Sequence, residues 1–114
     1  MFDFEKLEIY GKAKRLNSTI SSLLGNKKID RITNDQLRRA SFSIMLNIAE
    51  GSGRFTKPDK RNFYIIARGS AFECVAILDY LRDQTVISNQ EYEDYYKYIE
   101  EISKMLFSLI KGLE

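Results

Sequence analysis

The 114-residue sequence predicts an all-α fold, a single antiparallel up-down-up-down four-helix bundle that covers residues 1–114. Three observations support this prediction. Apolar residues recur at spacings of three and four in four long segments, and helix-capping sequences precede two of these segments. The chain contains only one proline and six glycines, which favours long, unbroken helices. No segment shows the alternation of apolar and polar residues that is typical of a half-buried strand.

The first helix is predicted over residues 4–24. Its apolar residues follow the alternating spacing of a helix that packs along one seam. These seam residues are Ile9, Ala13, Leu16, Ile20 and Leu23. Gly25 and Asn26 follow the last of them and are expected to end the helix, after which a charged connection leads to the second helix.

The second helix is predicted over residues 33–50. Thr33 and Gln36 have the spacing of a capping box, in which each side chain accepts a hydrogen bond from a free backbone N–H of the first turn. Ile32 precedes this box and is expected to pack on Leu37 as a hydrophobic staple. These signals fix the predicted start of the helix.

The third helix is predicted over residues 58–82, with Pro58 in its first turn, where a proline removes no helical hydrogen bond. Its predicted seam consists of Phe63, Ala67, Ser70, Cys74, Ile77 and Leu81. Gly69 and its small neighbours make the middle of this helix thin. A glycine inside a helix costs about 1 kcal/mol relative to alanine, so we expect close packing at this point to offset that cost.

The fourth helix is predicted over residues 88–112. Ser88 and Glu91 form a second capping box, and Ile87 and Tyr92 have the spacing of its hydrophobic staple. The predicted seam consists of Tyr92, Tyr95, Ile99, Ile102, Leu106, Leu109 and Leu113. Three short connections between four long helices favour the antiparallel arrangement.

The composition excludes much of catalytic and metal-binding chemistry. The chain has no histidine and a single cysteine, Cys74, so it lacks the pairs used in nucleophilic catalysis and the ligands of a thiolate zinc site. We therefore expect a protein that is not an enzyme and that holds neither a cofactor nor a metal. The rival interpretation is a magnesium-dependent hydrolase or nuclease with Glu50 and Glu73 as its carboxylates.

The sequence also carries signals about location. It contains no run of 18 apolar residues, and its first residues lack the basic and then apolar order of a signal peptide. A single cysteine cannot form an internal disulfide. Together these observations favour a cytoplasmic protein without membrane contact.

Charge is distributed unevenly along the chain. Residues 27–68 contain ten lysines or arginines and four acidic residues, a net charge of +6, whereas residues 69–114 contain four basic and nine acidic residues, a net charge of −5. A dense basic segment favours an anionic partner. Unlike surfaces also favour contacts between different faces of neighbouring copies, and such contacts close into rings. The residues expected to contact nucleic acid are Arg38, Arg39, Arg54, Lys57, Lys60, Arg61 and Arg68.

Glycines and polar residues surround the predicted end of the second helix. Gly51 is expected to close this helix in the left-handed conformation. The pair Gly51 and Gly53 is compatible with a phosphate-binding loop, but such loops follow a strand and carry a lysine–serine pair, so a helix stop is the better interpretation. The polar residues nearby are Asn47, Glu50, Arg54, Ser70 and Glu73. They form either a ligand site or a structural network, and we favour the network because a partly buried carboxylate needs donors.

The second helix and the loop after it resemble a known family. The residues that carry this resemblance are Arg39-Ala40-Ser41-x-Ser43-Ile44-x-x-Asn47-Ile48-Ala49-Glu50-Gly51-x-Gly53-Arg54, followed by Phe63, Ala67 and Gly69-Ser70-x-x-Glu73. Over essentially its whole length the chain is similar to the bacterial four-helix-bundle family of 23S rRNA intervening-sequence proteins, which includes the accessory variability determinant proteins of diversity-generating retroelements. The resemblance implies a ring-shaped homo-oligomer, expected to be a pentamer, that binds nucleic acid through a basic surface. It brings no catalytic residues, and it implies fold or interface roles for Asn47, Glu50, Gly51, Gly53, Arg54, Ser70 and Glu73.

Two functions are compatible with the sequence. The first is a non-catalytic adaptor that binds nucleic acid, with structured RNA favoured over DNA, as a ring-shaped homo-oligomer. The second is a protein-interaction scaffold without nucleic acid, in which the basic segment serves subunit contacts or an acidic protein partner. Binding that depends strongly on salt and weakly on sequence would distinguish the first, because phosphate contacts carry no base information.

Overall fold

The computed structural model describes residues 1–114 and contains four long α-helices and no β-strand. The helices are α1 (Glu8–Asn26), α2 (Arg31–Ser52), α3 (Lys57–Asp83) and α4 (Asn89–Gly112), and a 3-10 turn at Asp3–Lys6 precedes them. The molecule measures 44 × 23 × 21 Å, so its length is close to that of one long helix. These elements confirm the predicted all-α four-helix fold.

Contacts between neighbouring helices show that they run in opposite directions. Between α2 and α3, Ser43 Oγ lies 2.9 Å from Ser70 Oγ, and Lys60 Nζ lies 2.8 Å from the Ser52 carbonyl oxygen. Residue numbers therefore rise along α2 as they fall along α3. The other neighbours follow the same rule through Asn17–Ser41 and Ser21–Arg38 (α1 and α2), Arg61–Glu114 and Arg68–Phe107 (α3 and α4), and Lys12–Glu101 and Lys27–Glu91 (α1 and α4).

The first helix begins later than the sequence predicts and ends later as well. Leu7 is extended, with φ −84° and ψ 123°, so it separates the 3-10 turn from α1 and serves as the N-cap of that helix. The turn is held in place by the Phe4 ring, whose centroid lies 4.7 Å from that of Tyr10. At the other end α1 continues through Gly25 to Asn26, so the glycine does not stop it.

The predicted start of the second helix is wrong by two residues. Asp30 is the N-cap, and its carboxylate accepts hydrogen bonds from the Thr33 N–H at 2.9 Å and the Thr33 hydroxyl at 2.7 Å. These bonds lower the pKa of Asp30 below its usual value. Thr33 thus occupies the third helical position, and Ile32, the predicted staple, is 75% exposed.

The start of α4 confirms the predicted capping box, and the start of α3 confirms the predicted position of Pro58. Ser88 and Glu91 form a capping box, with the Glu91 N–H donating to Ser88 Oγ and the Ser88 N–H donating to Glu91 Oε1. Thr56 caps α3 by accepting from the Asp59 N–H at 3.2 Å, and Pro58 lies in the first turn. These capping bonds satisfy N–H groups that a helix leaves without partners at its start.

Gly51 does not end α2 in the left-handed conformation, because no glycine of the chain has a positive φ and the helix continues to Ser52. Gly51 instead allows a close contact between α2 and α3. A Cβ at this position would lie 2.8 Å from Tyr64 Cε1 and 3.1 Å from Phe63 Cβ. Gly51 therefore lets the first turns of α3 approach the last turn of α2.

One continuous hydrophobic core lies between the four helices. The predicted seam of α1 is buried in full, whereas the predicted seam of α3 is displaced. Its buried residues are Tyr64, Ala67, Ala71, Cys74, Leu78 and Leu81, and three predicted members, Phe63, Ser70 and Ile77, are half-buried. In α4 the buried residues are Tyr92, Ile99, Ile102, Leu106 and Ile110, with Tyr95, Leu109 and Leu113 half-buried. Phe63, Ser70 and Ile77 each directly precede a buried residue, so the buried face of α3 is displaced by one residue from the predicted seam.

Candidate nucleic-acid interface

The seven basic residues expected to contact nucleic acid lie in three separate places. Arg38 and Arg39 lie on the middle of α2, and Arg54, Lys57 and Lys60 surround the connection between α2 and α3. The remaining two, arginines 61 and 68, line a groove between α3 and α4. At about 1.5 Å per residue, the first two places are roughly 25 Å apart along the bundle. The structure therefore divides the basic segment instead of forming one patch.

The side chains at the α2–α3 connection are partly used by the fold. The Arg54 guanidinium lies 3.7 Å from Glu50 and 4.4 Å from the centroid of the Phe63 ring. Lys60 donates to the Ser52 carbonyl at the end of α2, which places a positive charge where the helix dipole is negative. Lys57 is exposed and has no carboxylate within ion-pair distance. Of these three cations, Lys57 is the most available to an external anion.

The two arginines on α2 keep their charges unpaired. Arg38 is exposed, and its closest polar contact is the neutral Ser21 hydroxyl at 3.4 Å. Arg39 is exposed and has no hydrogen-bond or ion-pair partner in the chain. These guanidinium groups need no rearrangement of the fold to reach a phosphate.

The groove between α3 and α4 holds the remaining arginines among apolar side chains. Arg61 lies 3.7 Å from Glu114, and Arg68 lies over the Phe72 and Phe107 rings at 4.8 and 5.6 Å from their centroids. The Nε atoms of both arginines are buried without a hydrogen-bond acceptor. We call this region, about 520 Å³ in volume, the α3–α4 groove. Its lining residues include Arg61, Ile65, Arg68, Gly69, Phe72 and Phe107.

The polar residues of the sequence motif do not converge on one ligand site. Asn47 Nδ2 donates to the Ser43 carbonyl at 2.8 Å and lies 2.9 Å from Ser43 Oγ, which in turn bonds Ser70. These hydrogen bonds join α2 to α3. Glu73 has no ion-pair partner, and Glu50 pairs only with the exposed Arg54. The sequence did not identify Ser43 as the link, although its position four residues before Asn47 was a usable signal.

The geometry offers little to the magnesium-dependent alternative. Glu50 stands near the height of Phe63, ten residues from Glu73 along α3, which separates the two carboxylates by about 15 Å. No three histidine, cysteine, aspartate or glutamate side chains are close enough to share a metal ion.

Cys74 is fully buried, and this burial, followed by the charge of Glu73, raises the pKa of its thiol to about 12. No helix is long and apolar enough to cross a membrane.

The bundle has an exposed apolar surface that the sequence patterns did not reveal. It occupies the outer face of α3 and the edge of α4, where the exposed side chains are Ile65, Ile66, Phe72 and Phe107. Phe42 and Leu46 form a second exposed apolar pair on the outer face of α2. A helical projection of α3 would have shown apolar residues on both its inner and outer faces, a pattern that indicates burial on two sides.

These features define a small four-helix-bundle protein with a divided basic surface and two exposed apolar faces. The chain belongs to the family of 23S rRNA-intervening sequence proteins, whose sequence pattern matches residues 5–108. Its fold is also similar to the crystal structure of a protein of unknown function from the S23 ribosomal protein family of Bacteroides thetaiotaomicron, with a TM-score of 0.86 and 27% sequence identity. That similarity covers 90% of this chain and 98% of the other. Comparison with curated proteins gave no match.

Proposed function

We propose that this protein is a non-catalytic adaptor that assembles into a ring-shaped homo-oligomer and binds structured RNA through its phosphates. The observation that carries the proposal is the presence of exposed cations without carboxylate partners at two places on one molecule. These cations are Arg38 and Arg39 on α2 and Lys57 at the α2–α3 connection. Unpaired surface cations bind phosphates without first breaking an ion pair.

The spacing of these cations suits a polymer. A separation of roughly 25 Å along the bundle is too large for one phosphate group and fits contacts to successive parts of a folded strand. The name of the family refers to 23S rRNA, and the similar crystal structure carries a ribosomal family name, so RNA is the favoured polymer. A ring with five subunits would repeat the same few contacts around its axis and raise the total affinity.

The exposed apolar faces support assembly. Phe72 and Phe107 are 57% and 51% exposed and belong to an exposed apolar surface. Exposed apolar patches of this kind mark sites of protein–protein contact. Phe72 and Phe107 line the α3–α4 groove, whereas Phe42 lines a cavity between α1 and α2. Contacts between two different faces generate rings when the rotation closes.

Fluorescence anisotropy with labelled ribosomal RNA hairpins and duplex DNA, repeated at several salt concentrations, tests the RNA function. We expect affinity for RNA to fall steeply with salt. Arg38→Ala and Lys57→Ala should each flatten the slope of log affinity against log salt by about 1, because each removes one phosphate contact. Lys97→Ala removes an exposed lysine from α4 and serves as the matched control, with an unchanged slope.

The same samples separate the alternatives. Absence of binding at low salt, or slopes unchanged in both arginine and lysine variants, would favour the protein-interaction scaffold. RNA recovered intact after incubation with magnesium supports a non-catalytic role. RNA cleavage that disappears in Glu50→Gln would instead support the magnesium-dependent nuclease.

A further inference from the structure

The α3–α4 groove is open and apolar, and it holds a guanidinium group without an acidic partner. Arg68 lies over Phe72 and Phe107, and its Nε is buried without an acceptor. Ile65 on the wall of the groove is 43% exposed. Nothing lies within 4 Å of the position that a Cβ of Gly69 would occupy, so a helix can approach closely there. A partner of this groove should be apolar in its centre and carry a carboxylate toward the end of the groove that Arg61 and Arg68 line.

The outer face of α2 has these properties. Phe42 and Leu46 are one helical turn apart and are 46% and 42% exposed. Arg39 precedes them and Glu50 follows them on the same face, and we call these four residues the α2 ridge. Arg39 has no partner, and Glu50 contacts only Arg54, at 3.7 Å. The ridge therefore has an apolar centre with opposite charges at its two ends.

We propose that the α2 ridge of one copy packs into the α3–α4 groove of the next copy. Phe42 and Leu46 cover the apolar floor of the groove, and Glu50 supplies a carboxylate between the heights of Arg61, which pairs with Glu114 at 3.7 Å, and Arg68, which has no acidic partner. This contact rests on the proposed ring and identifies the two faces that form it.

The heights of the residues along the bundle support this contact. Ser43 and Ser70, whose hydroxyl oxygens are 2.9 Å apart, mark one common height on α2 and α3. We count from this pair at about 1.5 Å per residue. Phe42 then lies within roughly 3 Å of the height of Phe72, and Leu46 within roughly 3 Å of the height of Gly69. No shift along the axis is therefore needed to bring the ridge of one copy to the groove of the next.

The charged ends match at the same heights. Glu50 stands within about 3 Å of the height of Arg61. Arg61 and Glu114 are in contact and therefore mark a common height on α3 and at the end of α4. Counting back along α4 from this pair places Glu100, which lines the adjoining cavity, within one or two residues of the height of Arg39. Opposite charges therefore meet at both ends of the ridge, which strengthens the preference for this register.

Equal heights have a consequence for symmetry. Neighbouring copies are then related by rotation about an axis parallel to the helices without translation along it. Because ridge and groove lie on different sides of the bundle, the contact is heterologous, and without translation it generates a ring when the rotation between copies closes. Arg39 then serves the subunit contact, and Arg38 and Lys57 remain for RNA.

Sedimentation velocity of the full chain tests the apolar part of the contact. Leu46→Asp places a charge in the centre of the groove and should convert the assembly to a species of one 13.3 kDa chain, with the helical circular dichroism unchanged because Leu46 is exposed. Ile32→Asp, at a more exposed position of α2 outside the ridge, is the matched control and should leave the assembly intact.

A charge exchange tests the register. Arg39→Glu and Glu100→Arg should each place like charges together and weaken assembly at least about tenfold. The double variant restores opposite charges and should recover most of this loss. Single losses without recovery in the double variant would overturn the register and, with it, the proposal.

Other outcomes also contradict the contact. A wild-type chain that stays monomeric would mean that the groove serves another partner or none. An assembly that is insensitive to Leu46→Asp would mean that other faces form it. In that second case, salt-dependent RNA binding by the insensitive assembly would leave the proposed function standing while the ridge-and-groove contact fails.

Discussion

Glycines 51 and 69 show at the residue scale what sequence patterns reveal and what they leave open. Both were recognised as unusual positions in the chain, and each has a different physical reason. Gly51 is needed because Tyr64 and Phe63 occupy the space of a side chain. Gly69 has open space around it within the chain. The contacts that distinguish them come from other helices, so the local sequence could not assign these roles.

Replacement of Gly51 tests its role as a contact residue. Gly51→Ala should lower the free energy of unfolding by about 1–3 kcal/mol, because the new Cβ would lie 2.8 Å from a ring carbon of the buried Tyr64 and force α2 and α3 apart. Urea denaturation followed by circular dichroism measures the change.

Gly25→Ala is the matched control, since α1 continues through this position and no atom lies within 4 Å of the new Cβ. This variant should be neutral or more stable by up to about 1 kcal/mol, which reflects the helix propensity of alanine. Equal or greater stability of Gly51→Ala would contradict the packing role of Gly51.

At the scale of single elements, the sequence predicted all four helices but placed some of their ends and faces incorrectly. Ser88 was identified as a cap because its partner Glu91 follows at the required spacing. Asp30 was missed because the Thr33–Gln36 spacing offered a competing cap three residues later. The buried face of α3 was displaced by one residue because its outer face is also apolar. Periodicity therefore located the helices, while tertiary packing decided their faces.

The start of α2 gives a test of the corrected cap. Asp30→Ala should destabilise the protein more than Thr33→Ala, because Asp30 accepts from both the N–H and the hydroxyl of Thr33. The folded-state pKa of Asp30 is lowered, so its contribution is complete above the ordinary value of 3.8 and is lost as pH falls through the folded-state pKa. Urea unfolding of both variants at neutral and strongly acidic pH measures this.

The difference between wild type and Asp30→Ala should therefore shrink at acidic pH. The corresponding difference in unfolding free energy between wild type and Ser88→Ala, about 1 kcal/mol at neutral pH, should change less with pH, because the capping hydroxyl of Ser88 does not titrate. A larger loss for Thr33→Ala than for Asp30→Ala would return the cap to Thr33.

At the scale of the whole molecule, the bundle could be predicted from the sequence. The properties of its outward faces could not, because they depend on how the helices pack. The charge count along the chain suggested an anionic partner, but the fold uses Lys60 on a helix end and pairs Arg54 and Arg61 with acids. Which cations remain available depends on side-chain partners from distant parts of the chain. The match between ridge and groove likewise depends on heights that only the packed helices define.

The proposed function requires that several copies of this chain act together on one RNA. Sedimentation equilibrium of the wild-type protein with a labelled ribosomal RNA hairpin, at low salt, measures how many 13.3 kDa chains accompany each RNA. We predict a closed assembly, with five chains as the expected number, that co-sediments with one RNA and keeps the same protein mass when the RNA is removed. A single chain bound to each RNA, or RNA that sediments alone at low salt, would contradict it.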